Sequence, residues 1–369
     1  MASRPFLVKD IAQQAGLSTA TVDRVLNGRP NVRAHTARRV AQAIDELQRQ
    51  SQQLGMAGRK FMIDLVMETP ARFAAVVRGA LEAEMAALHP VVFRARCQLR
   101  EVWTPAELVA ALDHIGARGS HGVLLKAADL PEVAAAVDRL VERGIPVVTV
   151  VTDLTGSRRL AYVGLDNHAA GATAAYLIGQ WLGASSNARA AGAAAGDAAA
   201  GVLVSLSSVR FRGEEERVNA FRQTLGRLCP GLALHDVSEG QGRHDQTANL
   251  VRERLSACPE LAAVYSIGGA NRAILGAFEQ AGRPCRCFVG HDLDADNLAL
   301  LRAGRLSAVL HHDLRHDMRQ ACLQLVAAHG VAAPDALTRA AAARLSSVVV
   351  VTPYNLPENL SVQPVDSAS

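Results

Sequence analysis

Residues 17–28 read LSTATVDRVLNG, and their side chains sort onto two faces at helical spacing. Thr19, Ala20, Asp23, Arg24 and Asn27 share one face, while Val22, Val25 and Leu26 share the other. An arginine on such a face can donate a bidentate pair to guanine O6 and N7, or pair with a phosphate. Asp23 is the unexpected member, and three roles are open to it. It can accept from a cytosine N4 amino group. It can hold Arg24, Arg29 or Arg33 in a phosphate-facing pose. It can also be merely tolerated near the positive end of a helix. The arginine-holding role is preferred, because an unpaired carboxylate in a groove repels phosphates.

The elements that must present this face are legible around it. Val8, Ile11, Ala12 and Ala15 recur at i, i+3, i+4 and i+7, which predicts one amphipathic helix. Gly16 suits a left-handed helix end, and Ser18 suits the N-cap of the next helix. Gly28 and Pro30 break the chain, and a third helix is expected from about His35, with Val40, Ala43, Ile44 and Leu47 inward. Two short helices about a tight turn, braced by a third, make a helix-turn-helix. Charge agrees with that reading. Residues 1–60 hold ten Lys/Arg and four Asp/Glu, a net +6, whereas the whole chain carries +4, so the remainder is about −2. A basic head on a near-neutral body points to a nucleic acid partner.

At 369 residues the chain is longer than one usual domain. No apolar run is long enough to span a membrane, and the N-terminus shows no signal-peptide core, so a cytoplasmic protein with no membrane partner is expected. Cys97, Cys229, Cys258, Cys285, Cys287 and Cys322 are scattered, as reduced thiols would be. The run HHDLRH at 311–316 brings three histidines together, but without a companion cluster it reads as a strand end and capped helix, not a metal site. No metal or other cofactor is expected.

Beyond Gly58 strand-like and helical runs alternate. Strands are expected at 61–67, 91–97, 122–127, 146–151, 201–206, 263–267, 286–290, 307–311 and 347–351. Helices are expected at 74–88, 105–117, 131–143, 168–183, 213–228, 244–257, 271–281 and 313–328. This predicts parallel sheets flanked by helices, in two α/β lobes. Residues 186–201 are low in complexity and read as a surface excursion. No dinucleotide or P-loop fingerprint follows an early strand, and no nucleophile–base triad stands out.

The run VKDIAQQAGLSTATVDRVLNGRPNVRAHTARRVAQAIDEL closely resembles the DNA-binding head of the LacI/GalR family of bacterial repressors. The resemblance implies that Thr19 and Ala20 read bases, and that Thr21, Asn27 and Thr36 contact phosphates, beside Ser18, Asp23, Arg24 and Arg33. Thr36 also suits the N-cap of the third helix. It further implies a short hinge helix, for which SQQLGMAG offers Leu54 as a minor-groove wedge. The family's aromatic-x-Pro-Asn between third helix and hinge is missing here. Ile44, Leu47, Ser51 and Leu54 therefore also fit one continued helix, with Leu54 a linker or dimer contact.

The body resembles the periplasmic-binding-protein-like effector domain of the same repressors, near the ribose-type sugar-binding branch. TPARF, GIPVVTVVTD, VGLDNHAAG, RFRGEEERVNAF, SIGGANRAILGAF, VGHDLD and RLSAVLHHD carry the likeness. Each falls where a strand gives way to a helix, the usual place for ligands in open α/β sheets. By that likeness Arg72, Phe73, Lys126, Asp153, Asn167, Arg217, Asn271, Asp292 and His312 line an effector cleft. Phe73 is a stacking platform or core, and Lys126 a ligand contact or solvated charge. Asp153, Asn167 and Asn271 also suit caps and turns, and Arg217 could pair with Glu214. Asp292 is preferred over Asp294 and Asp296. The effector is a sugar, polyol, sugar acid or sugar phosphate.

The expected architecture is therefore an all-α helix-turn-helix head (1–47), a hinge or linker (48–60), a two-lobed type I α/β domain with parallel sheets (61–355) and a tail (356–369). The chain is expected to cross between lobes near 165, 312 and 330–345. The expected function is a ligand-controlled repressor that binds a near-palindromic operator as a homodimer, with a tetramer left open. The alternatives are a transport solute-binding protein, or an enzyme using His311, His312 and Asp292 as acid–base groups.

Overall fold

The computed structural model describes residues 6–29, 32–56, 60–89, 91–190, 200–330 and 345–357, with side chains for all of these except 48–56 and 183–190. The head has three helices, α1 (Val8–Ala15), α2 (Thr19–Leu26) and α3 (Ala34–Met56). Ile11, Ala12, Ala15, Val22, Val40 and Ala43 form its core. Gly16 turns the chain between α1 and α2 at φ 59°, a conformation that costs glycine least. Arg39 of α3 donates to the Ala15 carbonyl at 2.7 Å, fastening the end of α1. The backbone of α3 is continuous to Met56, so residues 48–54 prolong the third helix and do not form a separate hinge helix. The side chain of Leu54 lies outside the described residues.

The first lobe contains β1 (Lys60–Glu68), α4 (Ala71–Ala87), β2 (Val92–Arg100), α5 (Pro105–Arg118), β3 (Gly122–Lys126), α6 (Pro131–Glu142), β4 (Val147–Val150) and β5 (Ala161–Val163). Its sheet is all parallel, in the order β2-β1-β3-β4-β5. The second contains α7 (Asn167–Ala190), β6 (Gly201–Ser205), α8 (Arg212–Leu228), β7 (Ala233–Val237), α9 (His244–Ala257), β8 (Leu261–Ser266), α10 (Asn271–Gln280), β9 (Cys287–His291), α11 (Ala295–Arg302) and β10 (Ala308–His311). Its sheet has the order β11-β10-β9-β8-β6-β7, where β11 (Val349–Val351) pairs antiparallel to β10 and the rest are parallel. Central strands such as β3 and β9 are buried along their whole length. That explains their unbroken apolar runs, since helices cover both faces of such sheets.

Three segments join the lobes. The chain leaves β5 for α7, which packs on α8 and β9. It returns after β10 into α12 (Leu314–Ala328), which packs on α4, β4 and β5. It reaches the second sheet again at β11, after residues 331–344, which lie outside the described set. The first and third segments touch, because Ser346 donates its N–H to Gly164 O at 2.8 Å and Asp166 donates to Ser346 O at 3.1 Å.

Three elements escape the periodicity. β5 has only three residues, β7 is a half-buried edge strand (ALHDV), and α11 spans eight residues with a weak apolar face. The backbone of α7 runs on to Ala190, further than expected, into the low-complexity stretch. All six cysteines are unpaired. No helix among the described residues is long and apolar enough to cross a membrane.

Candidate functional site

Two surfaces carry the chemistry. On the head, the Ser18 side chain accepts from Thr21 N at 3.2 Å and caps α2. Val22 is wholly buried, which turns Ser18, Thr19, Ala20, Arg24 and Asn27 outward, with Thr21 and Asp23 half-buried beside them. Arg33 is also exposed, and Thr36 is half-buried with its hydroxyl 3.3 Å from His35 Nε2. Asp23 is held within its own helix turn. It accepts from Asn27 Nδ2 at 2.9 Å and faces Arg29 Nη2 at 3.9 Å. Of the three arginines considered for Asp23, Arg29 is the one beside it. The bond to Asn27 was not anticipated, although the i, i+4 spacing announces it.

The second surface is a cleft between the lobes, enclosing about 950 Å³ of empty space when its open mouth is included. It lies at the C-terminal ends of the parallel strands, where the loops after β1, β3, β4, β6, β8 and β9 converge. Of the nine expected residues, Arg72, Phe73, Lys126, Arg217, Asn271 and Asp292 line it. Phe73 also packs against the core of the first lobe, so both readings of that ring hold.

Asp153, Asn167 and His312 do not line the cleft. Asp153 is closed off by Arg159, by Thr149 Oγ1 at 2.8 Å and by Leu154 N at 2.8 Å. Asn167 stands behind Arg217 and accepts from its Nε at 2.8 Å. His312 stands behind Asp292, with Nε2 at 3.5 Å from Asp292 Oδ1 and Nδ1 at 2.6 Å from Asp317 Oδ2. Asp317 in turn accepts from the hydroxyl of Ser346. A buried chain of polar groups thus runs from the cleft wall through the second crossing to the third. Of the other residues of HHDLRH, Asp313 caps α12 by accepting from His316 N at 3.0 Å, and His311 Nδ1 accepts from Leu293 N at 3.4 Å.

The cleft contains further groups, some named in the sequence only as lesser alternatives (Glu214, Asp294, Asp296) and the rest not singled out there. Glu68, Glu101, Glu214, Asp294 and Asp296 add acids, Arg210 adds a base, and Phe211, His291 and Asn297 complete the wall. Lys126 Nζ donates to Glu68 O at 2.6 Å and sits 3.9 Å over the Phe211 ring. Burial lowers its pKa to about 8 against the opposing pull of Glu214 and Glu68. Glu214 accepts from Ser207 N at 2.7 Å, and burial raises its pKa. Asn297 fixes the loop after β9 by donating to the carbonyls of His291 (2.9 Å) and Asp292 (2.6 Å), and it accepts from Asn271 Nδ2 at 2.7 Å. That leaves Asn271 Oδ1, together with His291 Nδ1, buried without a protein hydrogen-bond partner. Such atoms are costly unless something polar completes them.

The backbone is strained in the same place. Five non-glycine residues among those described have positive φ, and Val151 (68°), Gln241 (50°), Ala270 (58°) and Asp292 (60°) all line the cleft. Strain of this kind collects at ligand-binding sites.

Electrostatics set the character of the pocket. Its lining holds four Arg/Lys (Arg72, Lys126, Arg210, Arg217) against six Asp/Glu. Arg210 pairs with Glu68 at 2.9 Å and Arg72 with Asp294 at 3.2 Å. Burial would raise the pKa of Asp292, but His312 and Arg217 outweigh it and hold this carboxyl well below its ordinary range. His291 is kept neutral by burial and by Arg217. The site therefore presents two ion pairs, two further cations held by neutral acceptors, and no surplus of cations over acids.

Among the described residues, His235, Cys258 and Glu260 also cluster, outside the cleft lining. His235 meets Cys258 through Nδ1 at 3.2 Å and Glu260 through Nε2 at 2.6 Å. Opposite ring nitrogens serve the two contacts, an arrangement unlike three ligands on one ion.

Two family models match the chain. The model for bacterial regulatory proteins of the lacI family covers residues 7–49, and the periplasmic binding protein domain covers residues 63–330. Similar solved structures include GanP, a glucose-galactose binding protein from Geobacillus stearothermophilus, at 19% identity and TM-score 0.66, covering 81% of this chain and 99% of that one. A solute-binding protein from Burkholderia graminis in complex with D-arabinose matches at 16% and 0.66, covering 82% and 98%. A candidate LacI transcriptional regulator from Bacteroides fragilis matches at 16% and 0.64, covering 80% and 98%. At these identities the structures share the fold. No curated protein sequence matches the chain.

Proposed function

The chain joins a lacI-family DNA-binding head to a body that belongs to the periplasmic binding protein domain family, and from that premise we propose a sugar-responsive repressor that binds a near-palindromic operator as a dimer in the cytoplasm. The observation that carries this reading is the pairing, on one chain, of an outward-facing α2 in a head of net +6 over residues 1–60 with a cleft whose acids outnumber its cations. In the head, Thr19 and Ala20 meet base edges first, while Thr21, Asn27, Arg33 and Thr36 set register on phosphates.

The cleft favours a neutral sugar or polyol. A sugar acid or phosphate would face six carboxylates, with Arg72 and Arg210 already paired to acids, Arg217 held by Asn167 and Lys126 by a backbone carbonyl. Hydroxyl groups instead match Asn271 Oδ1, His291 Nδ1, Asp292 and Arg217, and an apolar sugar face suits Phe73 or Phe211. Binding changes operator affinity only so far as the effector prefers one arrangement of the lobes. Footprinting of the DNA upstream of the protein's own gene, with a thermal-shift screen of neutral sugars, polyols, sugar acids and sugar phosphates, tests both halves. The reading requires salt-sensitive, sequence-specific protection and a stabilisation by neutral compounds that Arg217→Ala and Asp292→Ala abolish. Stabilisation confined to anionic compounds contradicts the assignment of the ligand.

A further inference from the structure

The wall of the cleft contains an arginine that is held by the opposite lobe. Arg72 starts from the first turn of α4 in the first lobe, yet its guanidinium is seated in the second. Nη1 donates to the Gly242 carbonyl at 2.9 Å, and Nε lies 3.2 Å from Asp294 Oδ2. The seat is made by missing side chains. A Cβ on Gly269 would collide with Arg72 Nη2, and one on Gly242 would crowd the Gly268 carbonyl and Pro70 beside it. Both glycines have positive φ, +81° and +63°, so substitution there is strained as well as crowded.

We propose that Arg72 is the pin of an inter-lobe latch, received by a socket of Gly242, Gly269 and Asp294, which holds the lobes closed before any effector arrives. Other contacts cross the same gap with the donor on the opposite side. Arg210 of the second lobe reaches Glu68 at 2.9 Å, and Gly213 N donates to Thr152 Oγ1 at 3.0 Å. Arg72 is the member that penetrates. Both ion pairs are largely shielded from solvent, where they are screened less than surface pairs.

The socket is also wired to the ligand-binding loop. Asp294 caps α11 by accepting from Asn297 N at 2.8 Å. Asn297 orients both Asn271 and the carbonyls of His291 and Asp292. Closing the latch therefore sets the atoms that face the cleft. Apparent affinity for any cleft ligand rises with the fraction of molecules already closed. Arg72 thus lines the cleft and holds the opposite lobe at the same time.

The test needs no ligand. Hydrogen exchange of the full chain, without added sugar, is followed in wild type, Arg72→Gln, Asp294→Asn and the double variant. Asparagine keeps the helix cap and removes only the charge. The latch predicts that amides in residues 207–213 and 268–271 exchange severalfold faster in each single variant, with no further gain in the double variant. Strands β3 and β8 should exchange as in wild type. Unchanged exchange across the cleft loops in both single variants overturns the latch. So does acceleration spread equally over the core strands, which would mark Arg72 as a general stability contact. Because no effector enters the measurement, its outcome is separate from that of the sugar assignment.

Discussion

His312 shows how one side chain can link a site to a hinge. Burial opposes its charge, but the carboxylates of Asp292 and Asp317 prevail and raise its pKa from 6.5 to about 9. A folded value above the unfolded one adds stability that is complete below pH 6.5 and is lost as pH rises through 9. Lys126 acts in the opposite sense, since its lowered value returns stability between pH 8 and 10.5. The comparison with a variant is therefore the informative curve. His312→Gln should lower Tm most at pH 6, with the gap to wild type narrowing towards pH 9.5. A gap that stays constant with pH would show that His312 is not charged in the fold. On the head, Asp23 is braced by Asn27 and Arg29. Asp23→Ser should free that arginine and change operator preference or the dependence of log affinity on log salt. No change in either would leave only the reading in which the acid is tolerated.

The elements were legible where local physics decides them. Strands buried on both faces and helices with a 3.6-residue period stand out along 61–328, because each repeats its signal over several residues. β5 and β7 do not, because three residues and a half-buried edge give too little pattern. The end of α3 shows the same limit from the other side. No Pro or Gly occurs between Asn31 and Leu54, and the helix runs on to Met56. In the cleft, the likeness to the family's effector domain pointed to six lining residues, while Asp153, Asn167 and His312 stand outside it. Glu68 and Arg210 were missed, and Asp294 ranked below Asp292, because their roles depend on partners in the other lobe, such as the 142-residue separation of Arg210 from Glu68. Linear spacing holds no trace of such pairs. At this scale the Gly16 turn is the weak point of the head. Gly16→Ala should destabilise it by about 1 kcal/mol, seen as faster hydrogen exchange over residues 8–26 with the body unaffected.

At the scale of the whole molecule, the crossing segments and the latch both connect to the loop after β9. Ser346, Asp317 and His312 tie the crossings to Asp292, while Asp294 and Asn297 tie the mouth to the same loop. A ligand held at Asp292 and Asn271 therefore acts on both the crossings and the latch. The central claim is that this cleft and the DNA-reading head are thermodynamically coupled. Linkage requires that coupling to be equal in both directions. The direct measurement is operator affinity by fluorescence anisotropy, with and without a saturating neutral sugar taken from the thermal-shift screen, paired with sugar affinity in the presence and absence of operator. We expect each ligand to change the affinity for the other by the same factor, on the order of 5–150-fold, with Asp292→Ala abolishing both changes. A sugar that binds the cleft and leaves operator affinity unchanged would contradict the account.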